Sequence, residues 1–142
     1  MIYTPETKKA MKLCFAAHKE QKDKSGLPYV FHPFHLAEQM TDEETTVVAL
    51  LHDVVEDSLY TFDDLKEMGF SEAVLSALRL LTHGDDTPYM DYVAAIKKNP
   101  IARAVKLADL RHNSDLSRMD EVTETILARR EKYLAAIRLL EE

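Results

Sequence analysis

The run Ala49-Leu50-Leu51-His52-Asp53-Val54-Val55-Glu56-Asp57 sets how the whole chain is read. An apolar stretch leads into a His-Asp pair, and two more carboxylates follow. His52 and Glu56, like Asp53 and Asp57, are spaced i,i+4, so on a continuous helix each pair shares a face one turn apart. Desolvating such groups where a helix leaves the core costs on the order of several kcal/mol unless something pairs them. A divalent metal would pair them. Taken alone, His52-Asp53 has a plainer account: a core histidine bonded to a carbonyl beside an acid that caps a helix or faces water. Matching ligands elsewhere favour the metal. His32 precedes Pro33 upstream, and Asp109 closes the segment Lys106-Leu107-Ala108-Asp109 downstream. His32, His52, Asp53 and Asp109 are the candidate ligands.

Outward from this run, start and stop signals predict helices joined by short turns. Thr4-Pro5, Thr87-Pro88 and Asn99-Pro100 each read as an N-cap followed by proline at the first helical position. Thr41-Asp42-Glu43-Glu44 reads as a capping box opening the helix that leads to His52. Thr61 with Asp64 starts a short helix stopped by Gly69, and Ser71-Glu72 starts another stopped by Gly84. Gly26 sits in the turn-forming run Asp23-Lys24-Ser25-Gly26-Leu27-Pro28. Val74, Leu75, Leu78 and Leu81 form one apolar stripe at helical spacing. Ile126, Tyr133, Ile137 and Leu140, with Leu127 and Leu134, form another. Tyr29-Val30-Phe31 alone looks β-like, and it is short. The expectation is an all-α chain, a single compact domain over residues 1–142 built as a bundle of roughly six to eight helices.

At 142 residues the chain is long enough for one real core and short for a catalytic domain plus a regulatory one. Met1-Ile2-Tyr3-Thr4-Pro5 does not resemble a signal peptide, and no apolar run approaches the roughly 18–20 residues of a membrane span, so no membrane partner is expected. A formal charge of −7 argues against a general nucleic-acid binder. It is compatible with a phosphorylated substrate where basic residues face the site. Lys97, Lys98, Arg103, Lys106 and Arg111 lie around Asp109, and Lys22 and Lys24 lie before His32. Singly each is a solvated surface charge; near the ligands they become candidate phosphate contacts. All three glycines fall at turns or helix ends, which excludes a Gly-rich phosphate loop. The single Cys14, in an apolar stretch, reads as a buried core thiol and suits a reducing cytoplasm. A homo-oligomer is compatible with all of this.

Two imidazoles and two carboxylates leave room for water in a six-coordinate shell. Mixed nitrogen and oxygen ligation without thiolate suits Mn²⁺, Fe²⁺ or Co²⁺ better than a structural zinc. Such an ion polarises a phosphoryl oxygen and acidifies water. Glu56 and Asp57, one turn beyond the ligands, are the candidates to hold or deprotonate that water and to handle the leaving group. Their plainer reading is an acidic helix end bonded to nearby lysines.

The motifs occur in a telling order: Ala17-His18-x-x-Gln21-x-x-x-Ser25-Gly26-x-Pro28-Tyr29-x-x-His32-Pro33, then Leu50-Leu51-His52-Asp53-Val54-Val55-Glu56-Asp57, then Thr61 and Gly69, then Val105-Lys106-Leu107-Ala108-Asp109 with His112-Asn113. In this the chain resembles the HD-domain phosphohydrolases, and specifically the hydrolase domain of the Rel/Spo alarmone enzymes and the stand-alone small alarmone hydrolases. The resemblance covers most of the chain. It implies an HD-type helical fold, usually with Mn²⁺, and removal of the 3′-pyrophosphate from guanosine tetra- or pentaphosphate. By position it implies His32, His52, Asp53 and Asp109 as metal ligands and Glu56 and Asp57 as catalytic acids. It also implies Lys24, Asn113, Arg129 and Tyr133 as substrate contacts. By its residue type alone, Tyr133 reads as core.

Three positions depart from the family pattern. Asp23 stands where the family has an arginine that packs on the guanine base. Leu110-Arg111 replaces Arg-Leu after Asp109, turning the arginine to another helical face, and Thr82-His83 replaces a Thr-Lys pair. None touches the candidate ligands or acids. Asp23 keeps open a second substrate, another phosphorylated nucleotide or cofactor. A third reading, a non-catalytic sensor of nucleotide or metal, would have no need of Glu56-Asp57.

Overall fold

In the computed structural model, which describes residues 1–142, the chain forms nine α-helices. They are α1 (Pro5–His18), α2 (Phe31–Glu38), α3 (Glu43–Leu51), α4 (Val54–Asp57), α5 (Phe62–Glu67), α6 (Glu72–Leu81), α7 (Tyr89–Lys97), α8 (Pro100–Asn113) and α9 (Glu124–Glu141), with a 3₁₀ turn at Leu116–Arg118. There are no strands. The only β pairing is an isolated bridge between Lys22 and Pro28, and the β-like Tyr29-Val30-Phe31 is instead the turn that feeds α2.

Helix α3 organises the bundle. Every residue from Thr45 to Leu51 is buried, as a helix apolar on all sides must be. It packs against α1, α2, α6 and α8. The 29 buried apolar residues form one contiguous cluster, so the chain has a single core. Val74, Leu75, Leu78 and Leu81 enter it as their spacing predicts. The α9 stripe does so only in part: Leu140 is fully buried, while Leu127 is 44% exposed because the first half of α9 reaches past the bundle.

Most helix starts follow their caps. Thr4 accepts from the Thr7 N–H, and Asn99 accepts from the N–H groups of Ile101 and Ala102. Thr61 and Asp64 close a full capping box, and Ser71 accepts from the Val74 N–H. Three signals resolve differently. At α3 the cap is Asp42, which accepts from both the N–H and the hydroxyl of Thr45. Thr45, not Glu44, occupies the third helical position, and its hydroxyl is spent on the Asp42 carboxylate, so the reciprocal bond of a capping box is not made. At α7 the helix starts after Pro88, which sits at the N-cap. Thr87 is tied into the preceding turn, its N–H to the Gly84 carbonyl and its own carbonyl to His83 Nε2. Helix α6 stops at Leu81, before Gly84 is reached, where Thr82 turns extended.

The largest departure lies at the centre. A single helix through His52 was expected, but α3 ends at Leu51 and α4 begins at Val54. Asp53, at φ −108° and ψ 0°, makes the break, and this adds one element to the expected number. Asp53 is also the N-cap of α4, its carbonyl accepting the Asp57 N–H at 2.9 Å.

Cys14 is fully buried. Burial, with the charge of Asp53 adding to it, pushes its thiol up to about 12. A thiol reagent should therefore leave the native protein unlabelled and label one site per chain in denaturant. Rapid labelling of the native protein would show that this part of the core opens readily.

Candidate metal centre

Three segments deliver the site. His32 lies in the first turn of α2, followed by Pro33, whose missing N–H costs nothing there because first-turn donors lack helical partners anyway. His52 and Asp53 sit in the break between α3 and α4. Asp109 projects from the penultimate turn of α8.

Their polar atoms converge. Donor atoms of His32, His52 and Asp109 all lie within 4.8 Å of one another, and all three residues are buried. Nε2 of His32 is 2.9 Å from Asp109 Oδ1, and Nε2 of His52 is 3.6 Å from the same oxygen. Asp53 adjoins the triplet through His52, its Oδ2 3.0 Å from His52 Nε2. The Tyr29 hydroxyl donates to that Oδ2. Burial together with Asp53 keeps the Tyr29 phenol well above its ordinary range, so it remains a donor.

The hydrogen-bond pattern tests whether a metal fits. His52 Nδ1 donates to the Ala49 carbonyl at 2.7 Å, which leaves Nε2 bare. That atom is buried and has no hydrogen-bond partner. His32 Nδ1 lies 2.7 Å from His112 Nδ1. Burial, then Arg118 and His32, hold His112 down to about 3, so its ring is neutral. A neutral His112 can accept the Nδ1 proton of His32, and that tautomer turns a bare Nε2 of His32 toward Asp109. In that tautomer two imidazole lone pairs face two carboxylates and repel them unless a cation lies among them; in the other, His32 Nε2 donates to Asp109 Oδ1 and the lone pair of His52 Nε2 is the one left bare. Burial opposes charge on His52, yet Asp53 and Asp109 outweigh it and raise its affinity for a proton. The arrangement that draws a proton to Nε2 draws a metal ion as well. The donor set fits a divalent metal, and the oxygen and nitrogen ligands exclude a thiolate site.

The carboxylates are held ionised. Burial would raise Asp53, but His52 outweighs it and brings it to about 2. Burial is likewise overcome at Asp109, by Lys106 first and then by His32 and His52, leaving it well below the usual range. Lys106 Nζ bonds Asp109 Oδ2 at 3.0 Å, and Asn113 Nδ2 bonds Oδ1 at 3.0 Å. These two bonds fix the carboxylate from its own helix, one turn to either side.

Two cavities meet at the centre. One, of about 290 Å³, is lined by His32, Lys24, Asn113, Arg129 and Tyr133 together with Asp23 and Arg118. The other, of about 210 Å³, is lined by His52, Asp53, Asp109 and Glu56 with Lys106, Lys132, His83 and Tyr89. Asn113 and Tyr133 border both. The Thr82-His83 departure, read from sequence as touching none of the acids, does reach one: Glu56 Oε1 accepts the His83 N–H at 2.7 Å, a backbone contact that residue type does not reveal. Partial burial raises Glu56 from its ordinary value, and raises Asp57 too, where Asp53 adds to the effect. Tyr133 is half-buried, packs against the core and lines both cavities.

Of the basic cluster, Lys22 and Lys24 line the first cavity and Lys106 the second. Arg111 pairs with Glu141, Lys97 pairs with Glu142, and Arg103 donates to the Leu140 carbonyl, all facing α9 instead of the site. Four contributors carry no role that the sequence alone assigns: Tyr29, His112, Arg118 and Lys132. Tyr29 carried the clearest signal, one turn before His32 in a run already singled out.

A helical bundle that seats a His-Asp pair from a helix break against a histidine and an aspartate from two other helices defines an HD-type domain. No protein-family model matches the chain. A guanosine-3′,5′-bis(diphosphate) 3′-pyrophosphohydrolase of Aquifex aeolicus is 31% identical over 92% of the chain, which spans 19% of that protein. The mouse guanosine-3′,5′-bis(diphosphate) 3′-pyrophosphohydrolase MESH1 is 37% identical over 73% of the chain, which spans 66% of it. A solved structure of a metazoan ortholog of SpoT that hydrolyses ppGpp superposes on 99% of the chain and 85% of its own, with TM-score 0.73 and 24% identity, and bears out the all-helical fold. The chain belongs to the family of HD-type alarmone hydrolases. No helix is long and apolar enough to cross a membrane.

A metal bound only by the folded form should stabilise it. Returning a divalent ion to chelator-stripped protein at about a hundredfold excess over Kd adds about 2.7 kcal/mol. The check is a thermal melt with and without the ion. A melt indifferent to every divalent ion would contradict the centre.

Proposed function

We propose that this chain is a Mn²⁺-dependent hydrolase that releases pyrophosphate from the 3′ position of guanosine tetra- and pentaphosphate. One observation carries the reading: the buried Nε2 atoms of His52, which has no hydrogen-bond partner, and of His32, 2.9 Å from Asp109 Oδ1, converge on Asp109 where two cavities meet. The relatives named for this activity support the substrate.

His32, His52, Asp53 and Asp109 would hold the ion, which supplies Lewis acidity toward a phosphoryl oxygen and toward water. The chain's own residues do the rest. Glu56 is held in place through one oxygen by the His83 N–H, and its second oxygen is left to take a proton from water. Its raised pKa makes it a better base than an ordinary carboxylate. Asp57, also raised, is the group to hold a proton for the departing pyrophosphate. Lys24 and Arg129 offset substrate charge in the larger cavity, Asn113 steadies Asp109 and borders the substrate, and Tyr133 offers an aromatic face. A reducing cytoplasm suits the lone buried thiol.

The test is direct. Manganese-loaded protein incubated with guanosine tetraphosphate should yield GDP and pyrophosphate on anion-exchange chromatography. No turnover of that substrate, alongside turnover of a different nucleotide, favours the second reading, in which the same chemistry serves another phosphorylated nucleotide. The specific observation behind that reading is Asp23, an acid lining the larger cavity in place of the family's arginine.

A further inference from the structure

Asp23 uses only half of its carboxylate to build its own turn. Oδ1 accepts from the N–H groups of Ser25 at 2.9 Å and Leu27 at 3.0 Å, closing the loop around Gly26, whose φ of +82° a residue with a side chain would resist. Oδ2 is left facing Nη2 of Arg118 at 3.8 Å, an ion pair too long to be a hydrogen bond. Arg118 is held from behind: its Nη1 donates to the His112 carbonyl at 2.9 Å, and its own carbonyl accepts from Ser25 Oγ at 2.7 Å. Both side chains are only 19% exposed, and both line the larger cavity together with Ile126 and Tyr133. A fixed carboxylate and a fixed guanidinium therefore stand side by side, each with hydrogen-bonding capacity to spare, on the wall of a cleft that offers Ile126, Met119 and Tyr133 to the faces of a ring and Lys24 and Arg129 to phosphate.

That pairing is the complement of one nucleobase edge. Guanine presents an acceptor, O6, followed by two donors, N1–H and the N2 amino group. Adenine presents a donor at position 6 and a bare acceptor at N1, which a carboxylate repels. We propose that Asp23 and Arg118 read the base in this cavity and select guanine, with Oδ2 of Asp23 accepting from N1–H and N2 and Nη2 of Arg118 donating to O6. This rests on the reading that the larger cavity takes the nucleoside end of the substrate. The charge inversion at position 23 then replaces a stacking cation with an edge-reading acid, and guanine remains the base that is chosen.

Calorimetric titration of wild-type and Asp23→Asn protein with GDP, IDP and ADP tests the assignment without needing catalysis. Asparagine keeps an oxygen for the Ser25 and Leu27 N–H groups and turns the second acceptor into a donor, so the loop is preserved. IDP lacks only the N2 amino group. Wild type should bind GDP at least about tenfold tighter than IDP or ADP, and the variant should bring GDP and IDP to within about twofold. Equal binding of GDP and IDP by the wild type overturns the proposal, as does a variant that keeps the wild-type preference. Hydrolysis of guanosine tetraphosphate by the wild type, measured in parallel, separates the two readings. Turnover without base preference sinks the edge reading alone, and base preference without turnover upholds it while sinking the catalytic one.

Discussion

Asp53→Ala should purify without bound metal, hydrolyse no guanosine tetraphosphate, and melt below the wild type. The Asp53 carboxylate sits 3.0 Å from the bare His52 Nε2 and accepts from the Tyr29 hydroxyl, so it links the helix break to the loop before α2. Removing it deletes a ligand, strips His52 of the first charge that raises its proton affinity, and leaves the Tyr29 hydroxyl without its acceptor. The stability contributed by a metal at a hundredfold excess over Kd, about 2.7 kcal/mol, goes with the ligand. His52→Ala should behave alike. Metal content by elemental analysis, measured beside the melt and the assay, checks the account. An Asp53→Ala protein that keeps one equivalent of metal would remove Asp53 from the ligand set.

Glu56→Gln should part company with that result. It is expected to keep its metal and its melting temperature while turnover falls by about 10²–10⁴-fold, the usual contribution of a general base. Glutamine preserves the shape and the oxygen that receives the His83 N–H, and it cannot take a proton from water. If Glu56→Gln loses its metal as fully as Asp53→Ala, Glu56 is a ligand or a support and the division of roles proposed above is wrong.

The two predictions differ because the break at His52-Asp53 separates ligands from acids. The sequence showed what lies there but not the break. The apolar run before His52 demanded a buried helix, and α3 is one. Helical spacing then carried the pattern through to Asp57, and no proline or glycine warned against continuing. What accompanies the interruption is tertiary: Asp53 accepts from the Tyr29 hydroxyl, a partner 24 residues away that local periodicity cannot register. The i,i+4 pairing of His52 with Glu56 was therefore read from a continuous helix that the chain does not form.

A similar limit explains Arg118. It lies in a polar stretch with no motif, and its partners in the loop from Asp23 to Ser25 are more than ninety residues away in sequence. Caps fared better because they are local. Thr4, Thr61, Ser71 and Asn99 each satisfy backbone donors within three residues, and a single sequence can show that. Thr87 failed as a cap because its backbone was already committed to the preceding turn by His83 and Gly84, a competition that the Thr-Pro pair does not reveal.

The central claim is one divalent ion shared by three distant segments. Crystals grown with Mn²⁺ and measured at the manganese absorption edge test it most directly. The account predicts a single anomalous peak per chain, ~2.0–2.3 Å from Nε2 of His32, Nε2 of His52 and a carboxylate oxygen of each of Asp53 and Asp109. A map with no peak among those four side chains at saturating manganese, or with its only peak elsewhere, would contradict it.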